Sequence, residues 1–246
     1  MTTRPPRPFQ TIASRIAWEC PWYRVRQDDI LTPGGQPGVY NVIEKADAVM
    51  DAIGYTEHGM RHALLVSDTA QSVLRGLGHD PRRCELAAIA GLLHDVGNVV
   101  GRTGHEAAGA MLAGQMLREM GMPLDEVCDI MTAIGSHEDP RGLVPALDLC
   151  AAVILADKAD VHHTRVRANG SIATDIHDRI NGSATGSNVV VDAEAAVIRL
   201  LVEIDTSMAQ PLEYFEIFLT RMALSRKAAK ALGCRFEVHI NGTRMA

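Results

Sequence analysis

The chain has 246 residues, 47% of them apolar, 22% charged and 4% aromatic, with a formal net charge of −6. That is enough for one large domain, or a domain with an appendage, around a core that needs no disulfide or metal staple. An acidic balance without a long basic stripe argues against an extended nucleic-acid surface. The longest apolar runs, Leu86 to Leu93 among them, are far too short to span a bilayer, and the N-terminal MTTRPPRPFQ lacks the apolar stretch of a secretory signal. A cytoplasmic protein with no membrane partner is therefore expected. Its scattered Cys20, Cys84, Cys128, Cys150 and Cys234 are expected as buried thiols, not as a disulfide framework.

In chain order, residues 1–38 read as an N-terminal extension broken by Pro5, Pro6, Pro8, Pro33 and Pro37. A short helix is expected around Ile12 to Cys20, with Trp18, Trp22 and Tyr23 pinning the segment onto the main domain. Residues 39–167 read as all helical. Asn41 with Glu44 makes a capping-box pattern, and Gly54 ends that helix. A second helix runs from Glu57 to Leu77, and Asp80 caps a third that opens with Pro81. Thr103 with Glu106 repeats the capping box before a helix to Met120, Pro123 opens one to His137, and Pro145 opens one to His163. Residues 168–187, rich in Gly, Asn, Ser and Asp, read as a linker with at most a short helix.

In residues 188–246 the period changes. Ile198, Leu200, Val202 and Ile204 alternate with Arg199, Glu203 and Asp205 as in a strand, with Val189 to Val191 as the hairpin partner. A helix from Pro211 to Leu232 carries Phe215, Leu219 and Met222 on one face, and Phe236, Val238 and Ile240 mark a last strand. The expected fold is mainly α: a helical bundle followed by a small C-terminal α+β appendage in the order strand, strand, helix, strand.

The helices carry an anomaly. His62 shares a face with Val66, Ala70 and Val73, and His105 shares one with Gly109, Leu112 and Met116. His137 follows Val127, Ile130 and Ile134 at helical spacing, and Asp157 follows Cys150 and Ile154. These polar side chains point where apolar ones belong. His94 and Asp95 close a helix whose body, LAAIAGLL, is apolar nearly all round. A carboxylate at the partially negative end of a buried helix is doubly disfavoured, and burying it unpaired costs on the order of several kcal/mol. Any one of these groups alone is more often an ordinary hydrogen-bonded core residue. Five helices that each deliver a metal-type ligand to a buried face are better explained by one metal centre. Imidazole mixed with carboxylate suits Mn, Fe, Zn or Ni better than Ca.

The same residues resemble the HD superfamily of metal-dependent phosphohydrolases. The resemblance rests on HALLVSDTA around His62, LLHDVGN around His94-Asp95 and ILADKAD around Asp157, over roughly Asn41 to Arg167. It implies an HD-type bundle in which His62, His94, Asp95 and Asp157 hold a first metal. GHEAAGAML around His105 and GSHED around His137 resemble the histidine motifs of dinuclear members. They imply a second metal on His105 and His137, with Asp95 bridging, and so one or two divalent transition metals as cofactors. Two departures stand out. Asn98 occupies the place where many catalytic relatives carry Lys, and Ser136 before His137 leaves no full His-His-Glu. The cyclic-dinucleotide phosphodiesterase branch, with its Gly-Tyr-Pro motif, is therefore not implied.

The activity implied is hydrolysis of a phosphomonoester or phosphodiester in a small molecule, nucleotides foremost. Asp95 would accept a proton from the attacking water and Lys158 would offset phosphoryl charge. His58, Asn98, Arg61, Arg102 and Arg165 are the candidate substrate contacts, with Arg167 a weaker one. Asp160 is expected to pair with an arginine, and His162-His163 to end a helix in solvent. Two other readings stay open: an HD-fold di-iron oxygenase using the same six ligands, and a nucleotide-binding regulatory protein with a silent metal site. Homo-oligomerisation is also left open.

Overall fold

The computed structural model describes residues 10–19, 24–31, 37–40, 42–138, 148–167 and 176–245. The N-terminal segment departs from expectation. Gln10–Glu19 (β1), Arg24–Leu31 (β2) and Pro37–Tyr40 (β3) form an antiparallel sheet in the order β1-β2-β3, so a strand replaces the helix expected around Ile12. Thr11, Ile12, Ile16 and Trp18 are β-formers, and β2 supplies the partner that a local reading does not see. Trp22, Tyr23, Cys20, Asn41 and Pro145, and the side chain of Trp18, lie outside the described residues.

The helical domain follows as Val42–Ala52 (α1), Met60–Gly76 (α2), Pro81–Leu93 (α3), His105–Glu119 (α4), Leu124–Ser136 (α5) and Asp148–Ala159 (α6). Asp80 caps α3 as expected, its carboxylate accepting from Arg82 N at 2.8 Å. Helix α2 starts later than Glu57 because Glu57 is engaged elsewhere. Its N–H donates to the Arg165 carbonyl, and its carboxylate accepts from Gly59 N at 2.8 Å. No side chain caps α4. Gly104, in the left-handed region at φ 76°, takes the place expected for Thr103. Helix α6 stops at Ala159, short of His163, and a 3-10 turn His163–Arg165 follows.

Helices α3 and α6 are central. Leu86 to Leu93 are all buried, as are Leu149 to Ala159. Surface arginines tie this core to its neighbours: Arg82 reaches Glu126 of α5, and Arg83 spans Asp129 of α5 and Asp148 of α6.

The C-terminal part has the expected order. After Ile176–Ser183 (α7) come Ala184–Asp192 (β4), Val197–Ile204 (β5), Pro211–Ala231 (α8), Arg235–Ile240 (β6) and a short Thr243–Arg244 (β7). The sheet order is β4-β5-β6-β7, with β5 and β6 parallel and joined through α8. Ala228 and Ala229 of α8 and Ile198 of β5 join the same hydrophobic cluster as α2, α3 and α6, so the appendage is docked on the bundle. The buried face of α8 is Tyr214, Phe218 and Met222, while Leu219 is exposed, one residue out of phase with the expected face. Cys128 is also exposed, against expectation. Cys84, Cys150 and Cys234 are buried and form no disulfide among the described residues. Among the described residues no helix is long and apolar enough to cross a membrane.

Candidate metal centre

Close helix crossings bring the polar residues together. A Cβ on Gly91 of α3 would lie 2.9 Å from the Val66 carbonyl of α2, so only glycine lets these helices approach and sets His62 beside His94. Gly97, in the 3-10 turn Val96–Val99, packs directly on the His105 carbonyl and on Gly109 N of α4, which brings His105 to Asp95.

All four imidazoles are buried and share one orientation. His94 Nδ1 donates to the Gly91 carbonyl at 2.7 Å, His105 Nδ1 to the Arg102 carbonyl at 2.9 Å, and His137 Nδ1 to the Ile134 carbonyl at 2.7 Å. His62 Nδ1 donates to Asp160 Oδ2 at 2.6 Å. A carbonyl or carboxylate oxygen can only accept, so each Nδ1 carries a proton, and the Nε2 of a neutral ring presents its lone pair. These lone pairs converge in two pairs, His62 Nε2 to His94 Nε2 at 3.2 Å and His105 Nε2 to His137 Nε2 at 3.1 Å.

Asp95 sits between the pairs. Its Oδ2 lies 3.4 Å from His94 Nε2 and 3.7 Å from His62 Nε2, and its Oδ1 lies 3.2 Å from His105 Nε2 and 3.9 Å from His137 Nε2. Asp157 Oδ1 completes the first group at 3.4 Å from His62 Nε2. Facing lone pairs repel, and Asp95 Oδ1 is buried without a hydrogen-bond partner. Donor–donor spacings of this size are the edges of a coordination shell with bonds of about 2 Å. The triads His62, His94, Asp157 and His94, Asp95, His137 each have donor spacings that could hold a metal ion.

The electrostatics agree. Burial opposes charge on His94, yet Asp95 and Asp157 raise its pKa above the usual value, so the cluster favours a positive charge. His137 is pushed down to about 3 by burial and by His94 and Lys158. Asp95 is held well below the carboxylate range in spite of burial, chiefly by His94 and His105, and Asp157 likewise, chiefly by Lys158. Glu138 is lowered against burial by Lys158.

Glu138 was not singled out from the sequence, although it directly follows His137 in GSHED. With His105 and His137 it forms a third group at ligand spacing. Here it accepts from Lys158 at 3.0 Å and from Arg102 at 2.7 Å. Lys158 also donates to Asp157 Oδ2 at 2.6 Å, and Arg102 donates to His105 Nε2 at 3.1 Å.

A cleft of about 660 Å³ opens at this layer, with His58, Arg102, Glu138, Lys158 and Arg165 among its walls. Burial and then Arg165 drive the His58 pKa well below its usual value, so the Arg165 guanidinium donates to a neutral His58 Nε2 at 3.2 Å. Arg61 stands elsewhere, paired with Asp160 and Glu57, and Arg167 is paired with Asp47. Asp160 does bind arginine, as expected. Asn98 is fully buried with both amide atoms unpartnered, and it does not line the cleft. Of the histidines without an assigned role, His79 pairs with Asp148, His239 with Glu237, and His177 lines the cleft.

No curated protein matches the chain. A family model, that of the HD domain, matches residues 59–165, a span that takes in all six convergent donor residues. This superfamily consists mostly of metal-dependent phosphohydrolases, and the buried His/Asp groups are of a kind that can hold its divalent metals. The match over residues 59–165 is consistent with the HD-domain superfamily.

Proposed function

We propose that the protein hydrolyses a phosphate ester of a small molecule, a nucleotide being the leading class, at a dinuclear centre held by His62, His94, Asp95, Asp157, His105 and His137. The observation that carries this reading is the two facing pairs of Nε2 atoms, with one oxygen of Asp95 turned to each pair. Divalent metals bound there would lower the pKa of water and withdraw charge from phosphoryl oxygens. Asp95, its pKa depressed, is ionised at neutral pH and is positioned to take a proton from the attacking water. Lys158 and Arg102 border the cleft and now neutralise Glu138. A phosphoryl group would compete with Glu138 for both cations, which then offset the charge that grows on it. Arg165 and His58 extend the polar wall.

The same six donors support the di-iron oxygenase reading, so the test has two arms. The metal-reconstituted protein is expected to release phosphate from members of a nucleotide panel, and Asp95→Ala to abolish it. Normal turnover by Asp95→Ala would refute the assignment. Iron occupancy with substrate-dependent oxygen uptake and no phosphate release would move the assignment to the oxygenase. Tight nucleotide binding without turnover under several metals would favour the regulatory reading.

A further inference from the structure

The cleft has a second wall that the proposed hydrolysis does not use. It is supplied by α8, where Ile217, Phe218, Arg221, Leu224 and Lys227 recur at helical spacing along one face. The chain as a whole is acidic, yet the cleft is lined by Arg102, Lys158, Arg165, Arg221 and Lys227, against Glu138 and Asp178. Arg102 and Lys158 are tied to Glu138, and Arg165 to Asp160. Arg221 is different. Its guanidinium lies over the Phe218 ring at 5.0 Å, and no carboxylate among the described residues pairs with it. Beside it Arg165 is almost fully buried, with its Nε unpartnered. Burial lowers the Arg165 pKa, Asp160 opposes this, and Arg221 lowers it further, so the two cations repel. An anionic ligand would relieve that repulsion and take up the Arg165 Nε–H and the Arg221 donors together.

We infer that α8 forms the distal half of the substrate site, where Arg221 and Arg165 bind a second phosphoryl group of a ligand whose first phosphoryl group lies against Lys158 and Arg102. Ile217 and Leu224 lie four residues before and three after Arg221 and give this wall apolar surface for the uncharged body of the ligand. The inference takes its ligand class from the phosphoester reading above and adds to it that substrates with two phosphoryl groups are preferred. The appendage then has a role in binding, because its helix completes the site that the bundle leaves open.

Calorimetric titration of the full-length, metal-loaded protein with AMP, ADP and adenosine 3′,5′-bisphosphate tests this, with turnover of each ligand measured separately. At least one ligand with two phosphoryl groups is expected to bind about tenfold or more tighter than AMP, the size of a charge-assisted contact. Arg221→Ala should erase that preference and Arg221→Lys should retain part of it. Arg221→Gln, which keeps the aliphatic stem over Phe218, serves if the alanine variant fails to fold. Equal affinity for all three ligands in the unmodified protein, or a preference that survives both Arg221→Ala and Arg221→Gln, would overturn the inference. Preference without turnover upholds it and rejects the hydrolase reading. Turnover without preference does the reverse.

Discussion

His62 Nδ1 lies 2.6 Å from Asp160 Oδ2, and that carboxylate is itself held by Arg61 at 2.8 Å and by the buried Arg165 at 3.5 Å. The chain of contacts fixes the ring so that Nε2 faces the donor cluster. Asp160 is no candidate ligand, yet it decides how well His62 can be one. Asp160→Asn keeps the shape and removes the charge. It is expected to weaken metal affinity by about 10–100-fold, measured by chelator competition. An unchanged affinity would mean that the His62 ring is oriented by packing alone.

Gly97 makes a sharper steric test. Its missing Cβ is what lets the 3-10 turn after Asp95 lie against the His105 carbonyl. Gly97→Ala must push α4 away, and overpacking of this kind costs roughly 1–3 kcal/mol. The thermal midpoint should fall, and the His105–His137 group should lose metal before the His62–His94 group does. Wild-type stability with full metal content would show that the two segments separate freely.

Acid sensitivity is expected away from the metal centre as well. Burial of Asp148 works against ionisation, but hydrogen bonds from Arg83 and Leu149 N hold its carboxyl below 3.8. A depressed folded-state pKa contributes stability that is present above the unfolded value and is lost as pH falls through the folded one. Asp148→Asn should therefore cost about 1–2 kcal/mol near neutral pH. The difference from the unmodified protein should shrink once pH drops below about 4. Urea denaturation at a series of pH values measures this, and a difference that is constant with pH would contradict it.

What was legible in the sequence follows from where the information sits. Asp80-Pro81 announces a helix start through local backbone chemistry and stands where expected, and the helix expected to end at Leu232 gives way to Gly233 at φ 75°. The six donors are legible because imidazoles and carboxylates on apolar faces need a shared explanation. Strand β1 is not, because its partner β2 is a separate segment and the pairing energy is tertiary. The phase of α8 was ambiguous for a related reason. Ile217, Phe218 and Leu219 put apolar side chains on three sides, and only packing in the cluster with Ile180, Val202 and Val238 selects Phe218. Glu138, Asp160 and Arg221 owe their roles to what the fold sets beside them.

Metal stoichiometry is the most direct measurement. After reconstitution with Mn or Fe and removal of excess ion, elemental analysis of the unmodified protein is expected to give two ions per chain, with His105→Ala retaining the His62–His94 ion and Asp95→Ala losing both. A chain that takes up no stoichiometric metal, and whose histidines titrate as ordinary hydrogen-bonded groups, would contradict the account at its root.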